Sequence, residues 1–199
     1  LMMAKIILPE TEQPIDELDD VETAHQQYEN VLDAAAAGAS FGLQIALNVG
    51  AMLLAFISLI AMLNGLIGWA GGFIGFPDIT FQIILGYLFQ PVAWIMGVPW
   101  SEANAAGSLI GQKLVLNEFV AYVEFINIRE SLSNHTQAVV TFALCGFANF
   151  ASIAILMGGI GAMAPERRPE VAQLGIKAVF AASLANFMSA SIAGLFLSL

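Results

Sequence analysis

Charged side chains are scarce in this sequence. Only 11% of its 199 residues are Asp, Glu, Lys or Arg, whereas 58% are hydrophobic. A soluble domain carries roughly a quarter charged residues. A chain with this composition cannot cover its apolar surface with polar groups, so an ordinary soluble globular domain is excluded. The class that remains is a protein embedded in a membrane.

Basic residues are few, and acidic residues are unevenly placed. The six Lys and Arg residues form no basic patch of the kind that binds nucleic acid, so no nucleic-acid partner is expected. Nine of the sixteen Asp and Glu residues fall between Glu10 and Asp33. The net charge of −10 therefore belongs mainly to one polar segment, and the rest of the chain is nearly neutral.

Cysteine is nearly absent, and so are the patterns of catalytic chemistry. Cys145 is the only cysteine, which excludes an intrachain disulfide. The sequence contains no recognisable pairing of a nucleophile with its base, no metal-ligand spacing and no phosphate-binding loop. We therefore expect a protein that is not an enzyme and needs no cofactor. An intramembrane enzyme is the weaker alternative.

The hydropathy pattern predicts an all-α, polytopic membrane protein. Several uncharged stretches reach the ~20 residues that a helix needs to cross a bilayer. Residues 1–8 resemble the end of a membrane helix whose beginning is absent, so we interpret the sequence as a fragment. The predicted segments are the end of a truncated membrane helix (1–8), an acidic cytoplasmic connector (9–40), a transmembrane helix (41–67), a glycine-rich turn (65–77), an interfacial helix (78–98), a re-entrant hairpin (99–130), a broken transmembrane helix (136–163) and a last transmembrane helix (170–199).

The first complete predicted span, residues 41–67, carries small residues and two asparagines. Small residues permit helices to pack closely in lipid. Asn48 and Asn64 are candidates for hydrogen bonds between helices, and a structural role is favoured for both.

Residues 99–130 combine apolar runs with charges that a lipid-exposed helix would not tolerate. Glu102, Lys113, Glu118 and Glu124 are spread through the segment, while the runs between them are too apolar for a free loop. Two short helices with a polar tip at Asn117 and Glu118 fit this pattern. Such a re-entrant hairpin is tolerated at membrane depth only where protein or a water-filled cavity surrounds it.

The stretch 136–163 is uncharged, but residues that weaken a helix interrupt it. Glycine costs about 1 kcal/mol relative to alanine inside a helix, and asparagine competes for the hydrogen bonds of the backbone. Since Gly146 and Asn149 lie near the middle of the stretch, we expect the helix to open at residues 146–150. Broken helices recur in the binding sites of transporters. Polar residues here and at the hairpin tip therefore indicate a substrate or ion path.

The few basic residues suggest an orientation. The loop that joins the last two spans contains Arg167 and Arg168. Because cytoplasmic loops are enriched in Lys and Arg, we expect this loop in the cytoplasm and the hairpin to enter from outside. The expected location is the inner (cytoplasmic) membrane.

Three runs of residues resemble the concentrative nucleoside transporters. They are Gly107 to Lys113 with Leu116-Asn117-Glu118-Phe119-Val120-Ala121-Tyr122, then Ala143-Leu144-Cys145-Gly146-Phe147-Ala148-Asn149-Phe150, and Gly158-Gly159-Ile160-Gly161 with Pro165-Glu166-Arg167-Arg168. The likeness covers essentially the whole chain and corresponds to the C-terminal half of that family. It implies the second half of an inverted-repeat transporter, with a scaffold helix, an interfacial helix, a re-entrant hairpin, a broken helix and a last helix in this order.

The resemblance implies a homotrimer in the lipid bilayer that imports nucleosides such as uridine. The import would be driven by a cation gradient, with sodium favoured over the proton, and would proceed by an elevator-like movement. In the family, the residues that read the nucleobase and the sodium site belong to the first half of the repeat. We therefore expect no metal site in this segment. The sequence indicates neither the coupling ion nor the base preference.

The resemblance also implies a set of substrate-binding residues. Glu118 matches the glutamate at the hairpin tip that hydrogen-bonds the ribose hydroxyls. Asn149 and Ser152 match polar residues of the broken helix that meet the ribose, and Phe147 matches the aromatic contact beside the nucleobase. An ionised carboxylate and a carboxamide suit vicinal hydroxyls, which both donate and accept hydrogen bonds.

From the residues alone, other interpretations stay open. Glu118 could be a structural acid, Asn149 could merely cap the helix break, and Phe147 could be core packing. Asn117 and Lys113 are expected to support the hairpin tip rather than to contact substrate. A membrane channel or receptor scaffold that binds a small polar ligand is the alternative to a carrier, and it would not accumulate that ligand against a gradient.

Overall fold

The computed structural model describes the backbone of residues 2–9, 11, 29–163 and 165–199, and for some positions within 45–56 and 158–165 it describes the backbone alone. This part of the chain forms α-helices, joined by turns, and contains no strands. The predicted all-α class is therefore confirmed. The helices are α1 (Met2–Ile7), α2 (Val31–Phe73), α3 (Phe81–Ile95), α4 (Trp100–Val115), α5 (Glu118–Ile128), α6 (Asn134–Leu144), α7 (Phe150–Met163) and α8 (Arg168–Ser198).

The chain divides into two compact units, one of residues 1–10 and 63–199 and the other of residues 11–62. Most of the predicted acidic connector, residues 12–28, lies outside the described residues. Helix α2 begins at Val31, inside the predicted connector, because the side chain of Asn30 accepts a hydrogen bond of 3.0 Å from the backbone N–H of Asp33. This is the geometry of a helix N-cap.

The predicted turn at residues 65–77 is wrong for residues 65–73, because α2 continues through these glycines to Phe73. The chain turns only afterwards, with Gly75 at a φ of 84°. The backbone N–H of Phe76 then donates to Gly71 O at 2.8 Å. A Cβ at Gly71 would collide with Phe76 O. Glycine is thus required here for the close approach of the returning chain, not to end the helix.

Asn64 joins the end of α2 to the start of α3. Its Oδ1 accepts a hydrogen bond of 2.8 Å from the backbone N–H of Phe81, and its Nδ2 donates to Gln82 Oε1 at 3.0 Å. The predicted structural hydrogen bond of Asn64 is therefore confirmed. The side chain satisfies one of the donors that a helix N-terminus leaves without an intrahelical partner.

Helices α3 and α4 form a tight V, bent by 116°. The corner contains Gly97, whose φ of 100° suits a residue without a Cβ. Along the V, the backbones of the two helices touch at Gly107, where a Cβ would lie 2.7 Å from Gln90 N and 2.8 Å from Gly86 O. The hydrophobic core of the unit formed by residues 1–10 and 63–199 includes α3 and α4 and extends to α5, α6 and α8, through residues such as Leu109 and Val140.

Helices α6 and α7 are the two halves of an interrupted helix, separated by residues 145–149, and α8 packs against both. The contacts are close at two glycines of α8. A Cβ at Gly194 would lie 2.7 Å from Val139 Cγ2 in α6, and a Cβ at Gly175 would lie 2.5 Å from Ile153 Cγ2 in α7. Helix α8 therefore packs along both halves of the interrupted helix and spans the break between them.

Length and composition allow at least one membrane crossing among the described residues. Helix α8 is 31 residues long and apolar enough to cross a bilayer, and α3 with α4 meet the same criterion only as a bent pair. Within α2, residues Ile57–Phe73 form a shorter apolar segment. Large apolar side chains such as Phe196 and Leu54 are about 71% exposed on these helices, as expected for surfaces that face lipid or another protein.

The packing at Gly107 generates a prediction about stability. Gly107→Val should lower the melting temperature of the purified protein in detergent, because the new side chain would meet backbone atoms that cannot move aside. Overpacking of this kind typically costs about 1–3 kcal/mol.

The matched control is Gly65→Ala in α2, where a Cβ would meet no atom within 4 Å. Alanine favours a helix over glycine by about 0.5–1 kcal/mol, so this variant should melt at or above the temperature of the parent protein. Equal melting temperatures for Gly107→Val and the parent protein would contradict the packing described here.

Candidate functional site

The hairpin tip is shaped by the way α5 begins. Asn117 adopts an extended backbone conformation, and its side chain accepts a hydrogen bond of 2.9 Å from the backbone N–H of Val120. Asn117 is therefore the N-cap of α5. Glu118 becomes the first residue of the helix, where the positive end of the helix dipole favours its carboxylate.

The second helix start follows the break in the interrupted helix. Asn149 precedes α7, and its Oδ1 accepts a hydrogen bond of 2.8 Å from the backbone N–H of Ser152. In return, the backbone N–H of Asn149 donates to Ser152 Oγ at 3.3 Å. This reciprocal pattern is that of a capping box, which satisfies two orphan donors at once. Asn149 therefore caps α7, with Ser152 as its partner, and the predicted role of Asn149 in binding a ligand stays a prediction.

The two helix starts meet through one hydrogen bond. Asn149 Nδ2 donates to Glu118 Oε2 at 2.6 Å. Asn149 is only 1% exposed, whereas Glu118 is partly exposed, so the bond is buried on the side of Asn149 alone. One amide therefore performs two tasks, since its oxygen caps α7 while its nitrogen holds the carboxylate of α5. In the described part of the chain, the side-chain hydrogen bonding of Glu118 involves Oε2 alone.

Lys113 connects α4, the first helix of the hairpin, to α6, the first half of the interrupted helix. Its side chain is completely buried, and Nζ donates to the backbone oxygen of Ala143 at 2.6 Å. Ala143 lies in the last turn of α6, where carbonyl groups lack intrahelical partners and a cation is favourable. The structure thus places Lys113 where it supports the hairpin.

Tyr122 makes a further connection that the sequence analysis missed. Its hydroxyl donates to the backbone oxygen of Thr141 at 3.1 Å, which ties α5 to α6. The residue belongs to the run that follows Glu118, and its place four positions along the same helix could have suggested that both face α6 and α7. The sequence offered no indication of its partner, since Thr141 resembles any other polar residue of a membrane helix.

Phe147 lies within the break and is 57% exposed. Phe147 is therefore not packed in the core of the described residues. Its predicted contact with a nucleobase stays a prediction. A cavity of about 580 Å³ does occur in the structure, but it is lined by residues such as Met96, His135 and Leu195. His135 lies in the first turn of α6, whereas Glu118 contacts Asn149 at the other end of the break, and no residue that lines the cavity belongs to the cluster around Glu118.

The cluster can bind a polar ligand without covalent chemistry. The carboxylate of Glu118 offers acceptor positions beyond the bond to Asn149, and the amide nitrogen of Asn149 has a second hydrogen to donate. An acceptor and a donor therefore lie side by side at the junction of two helix N-termini. A pair of neighbouring hydroxyl groups is complementary to this arrangement, because each hydroxyl donates and accepts.

Comparison with known proteins assigns the chain to a family. The model of the family described as Na⁺ dependent nucleoside transporter C-terminus matches residues 1–194. The chain belongs to this transporter family. The family expected from the three runs of residues is therefore confirmed.

Two curated relatives extend this assignment. The uncharacterised transporter YutK of Bacillus subtilis (strain 168) is 55% identical over 198 residues, which cover 99% of this chain and 49% of that protein. The nucleoside permease NupC of Helicobacter pylori is 46% identical over 204 residues, which cover 100% of this chain and 48% of that protein. The chain spans about half the length of these relatives.

Solved structures of a transporter of this family share the fold. CNTnw in an inward-facing, substrate-bound state matches with a TM-score of 0.88 at 57% identity, over 98% of this chain and 46% of that one. Variants of CNTnw in an intermediate and an outward-facing state match with TM-scores of 0.90 and 0.85. The chain is thus built like part of a helical membrane transporter.

The capping role of Asn117 leads to a prediction. Asn117→Ala should lower the free energy of unfolding by about 1 kcal/mol, because the backbone N–H of Val120 loses its acceptor. Thermal or denaturant unfolding in detergent measures this loss.

Asn117→Ser is the matched control, since a serine oxygen also caps a helix, and its stability should remain close to that of the parent protein. If the alanine and serine variants proved equally stable, Asn117 would not support the hairpin tip through its side chain.

Proposed function

We propose that this chain supplies part of the binding site of a secondary active transporter that imports nucleosides. The observation that carries the proposal is the hydrogen bond of 2.6 Å between Asn149 Nδ2 and Glu118 Oε2. It joins a hairpin tip to a broken helix, in a chain of the Na⁺-dependent nucleoside transporter family. A pair of this kind at membrane depth is costly unless it faces a ligand or a cavity.

The proposed ligand contact is the ribose of the nucleoside. Its neighbouring hydroxyls would donate to the carboxylate of Glu118 and accept from the second amide hydrogen of Asn149. Hydrogen bonds to a charged group are worth about 1.5–3 kcal/mol each. Ser152 Oγ is hydrogen-bonded to the backbone of Asn149, so in this conformation Ser152 first of all fixes the position of Asn149. A direct bond from Ser152 to ribose stays part of the proposal, as does the contact of Phe147 with the base.

The proposed driving force is a cation gradient, with sodium favoured over the proton. The family description names Na⁺ dependence, which supports this choice. The proposal includes an alternating-access cycle of the elevator type, in which the hairpin and the broken helix move. It is supported by the CNTnw structures in inward-facing, intermediate and outward-facing states. A multi-pass homotrimer in the cytoplasmic membrane, with α2 in the scaffold, completes the proposal.

Uptake of radiolabelled uridine tests the function directly. Protein produced from its complete coding sequence is reconstituted into proteoliposomes, and uptake is compared under a sodium gradient, a proton gradient and no gradient. Accumulation above equilibrium under the sodium gradient is the expected result. Equilibration without accumulation under every gradient would contradict the carrier and favour a channel or a receptor scaffold.

Glu118→Gln should reduce uridine affinity about tenfold or more, because ribose would lose a charged acceptor. Glutamine keeps the size of the side chain and still offers an oxygen to Asn149 Nδ2, so the protein should fold. The measurement is the Kd for uridine in detergent together with the rate of uptake.

A charge swap separates binding from mere structural pairing. In the double variant Glu118→Gln with Asn149→Asp, an amide and a carboxylate still face each other, but their positions are exchanged. If the pair only holds the hairpin to the broken helix, the double variant should recover uridine uptake. We expect no recovery, since the carboxylate would then lie on the wrong helix for the ribose hydroxyls.

A further inference from the structure

Asn186 lies on α8 at the level of the break in the interrupted helix. It is placed between Gly175, which packs against α7, and Gly194, which packs against α6. The side chain of Asn186 occupies the space that a Cβ at Gly146 would need, and its amide atoms and Cγ are the nearest atoms there. The amide is therefore pressed against the backbone of the break itself.

The amide nitrogen of Asn186 lacks a partner. Nδ2 is buried, and no hydrogen-bond acceptor for it exists among the residues that the structure describes. A buried donor without a partner costs about 1–3 kcal/mol. In native proteins such a group calls for an explanation, for instance a partner that is supplied in another state.

The break contains the groups that could become that partner. Carbonyls at the end of a helix lack intrahelical partners. Near the end of α6, Thr141 O still accepts from the backbone N–H of Cys145 and also from Tyr122, and Ala143 O accepts from Lys113. Beyond α6, Gly146 O accepts from the backbone N–H of Ala148. Carbonyls of residues 145–147 would become available to Asn186 if the break changed its conformation.

We infer that Asn186 is a positioning residue for the nucleoside site. Its Nδ2 donates to a backbone carbonyl of residues 145–147 in the nucleoside-bound conformation and is left without a partner in the present one. The inference rests on the proposed function. The break leads directly into Asn149, three residues after Gly146, so its conformation sets the position of the amide that meets Glu118. Asn186 acts through this backbone and does not itself contact the nucleoside.

Asn186→Leu tests the inference, because leucine is close to asparagine in shape but has no donor. In the absence of nucleoside the melting temperature should equal or exceed that of the parent protein, since no hydrogen bond is lost and the cost of an unpaired buried donor is removed. The Kd for uridine should rise about tenfold, the equivalent of one hydrogen bond. The increase in melting temperature that uridine causes should shrink accordingly. Asn186→Ala provides the same comparison if the leucine variant is not recovered as folded protein.

Asn104→Leu is the matched control. Asn104 in α4 also has a buried Nδ2 without a partner among the described residues, and it also faces a glycine, Gly86 in α3. It lies away from the break. The same chemical change at this position should therefore leave the Kd for uridine unchanged.

The outcomes separate this inference from the proposed function. If the parent protein binds uridine and Asn186→Leu binds it with the same Kd, the inference is overturned and the proposed function stands. Equal losses of stability with and without uridine, or an equal loss of affinity in Asn104→Leu, would reveal only a structural role and would also overturn it. If the parent protein binds no nucleoside, both the inference and the proposed function are wrong.

Discussion

The hydrogen bond between Asn149 Nδ2 and Glu118 Oε2 joins two helix starts, and the candidate site depends on it. Helices that end within a membrane leave backbone groups that lipid cannot satisfy, so such ends are tolerated only where protein or water supplies partners. Here Asn117 and Asn149 supply them for α5 and α7. The capping residues and the residues proposed to face the ligand are neighbours or identical. The hydrogen bonds that make a broken helix tolerable therefore also position the candidate site.

The charges of the cluster are balanced within the hairpin. Glu118 stands at the start of α5, where a helix dipole favours an anion, and Lys113 meets the end of α6, where it favours a cation. One acid and one base, five positions apart, leave no net charge from this pair. A polar pair without net charge suits the proposed ligand, a nucleoside, which is itself polar and uncharged.

Glycine illustrates where sequence interpretation succeeds and where it fails. Gly146 lies in a break and Gly71 lies inside a continuous helix, although both carry the same cost to helix formation. The two glycines differ in the residue that lies against each of them. The returning chain at Phe76 lies against Gly71, whereas Asn186 lies against Gly146. Propensity alone therefore placed the start of a turn at residue 65, whereas α2 continues to Phe73, and it placed a break at 146–150, close to the break at 145–149 in the structure.

The sequence by itself determined the helical membrane class, the family and the two polar interruptions, because composition, hydropathy and motifs are properties of neighbouring residues. It could not determine which atoms meet. Asn149 and Glu118 are 31 positions apart, Lys113 and Ala143 are 30 apart, and Asn186 reaches Gly146 from another helix. These contacts are decided by how α4, α5, α6, α7 and α8 pack. The tertiary structure alone shows that one asparagine both caps a helix and holds a carboxylate, since each task needs a partner from a different part of the chain.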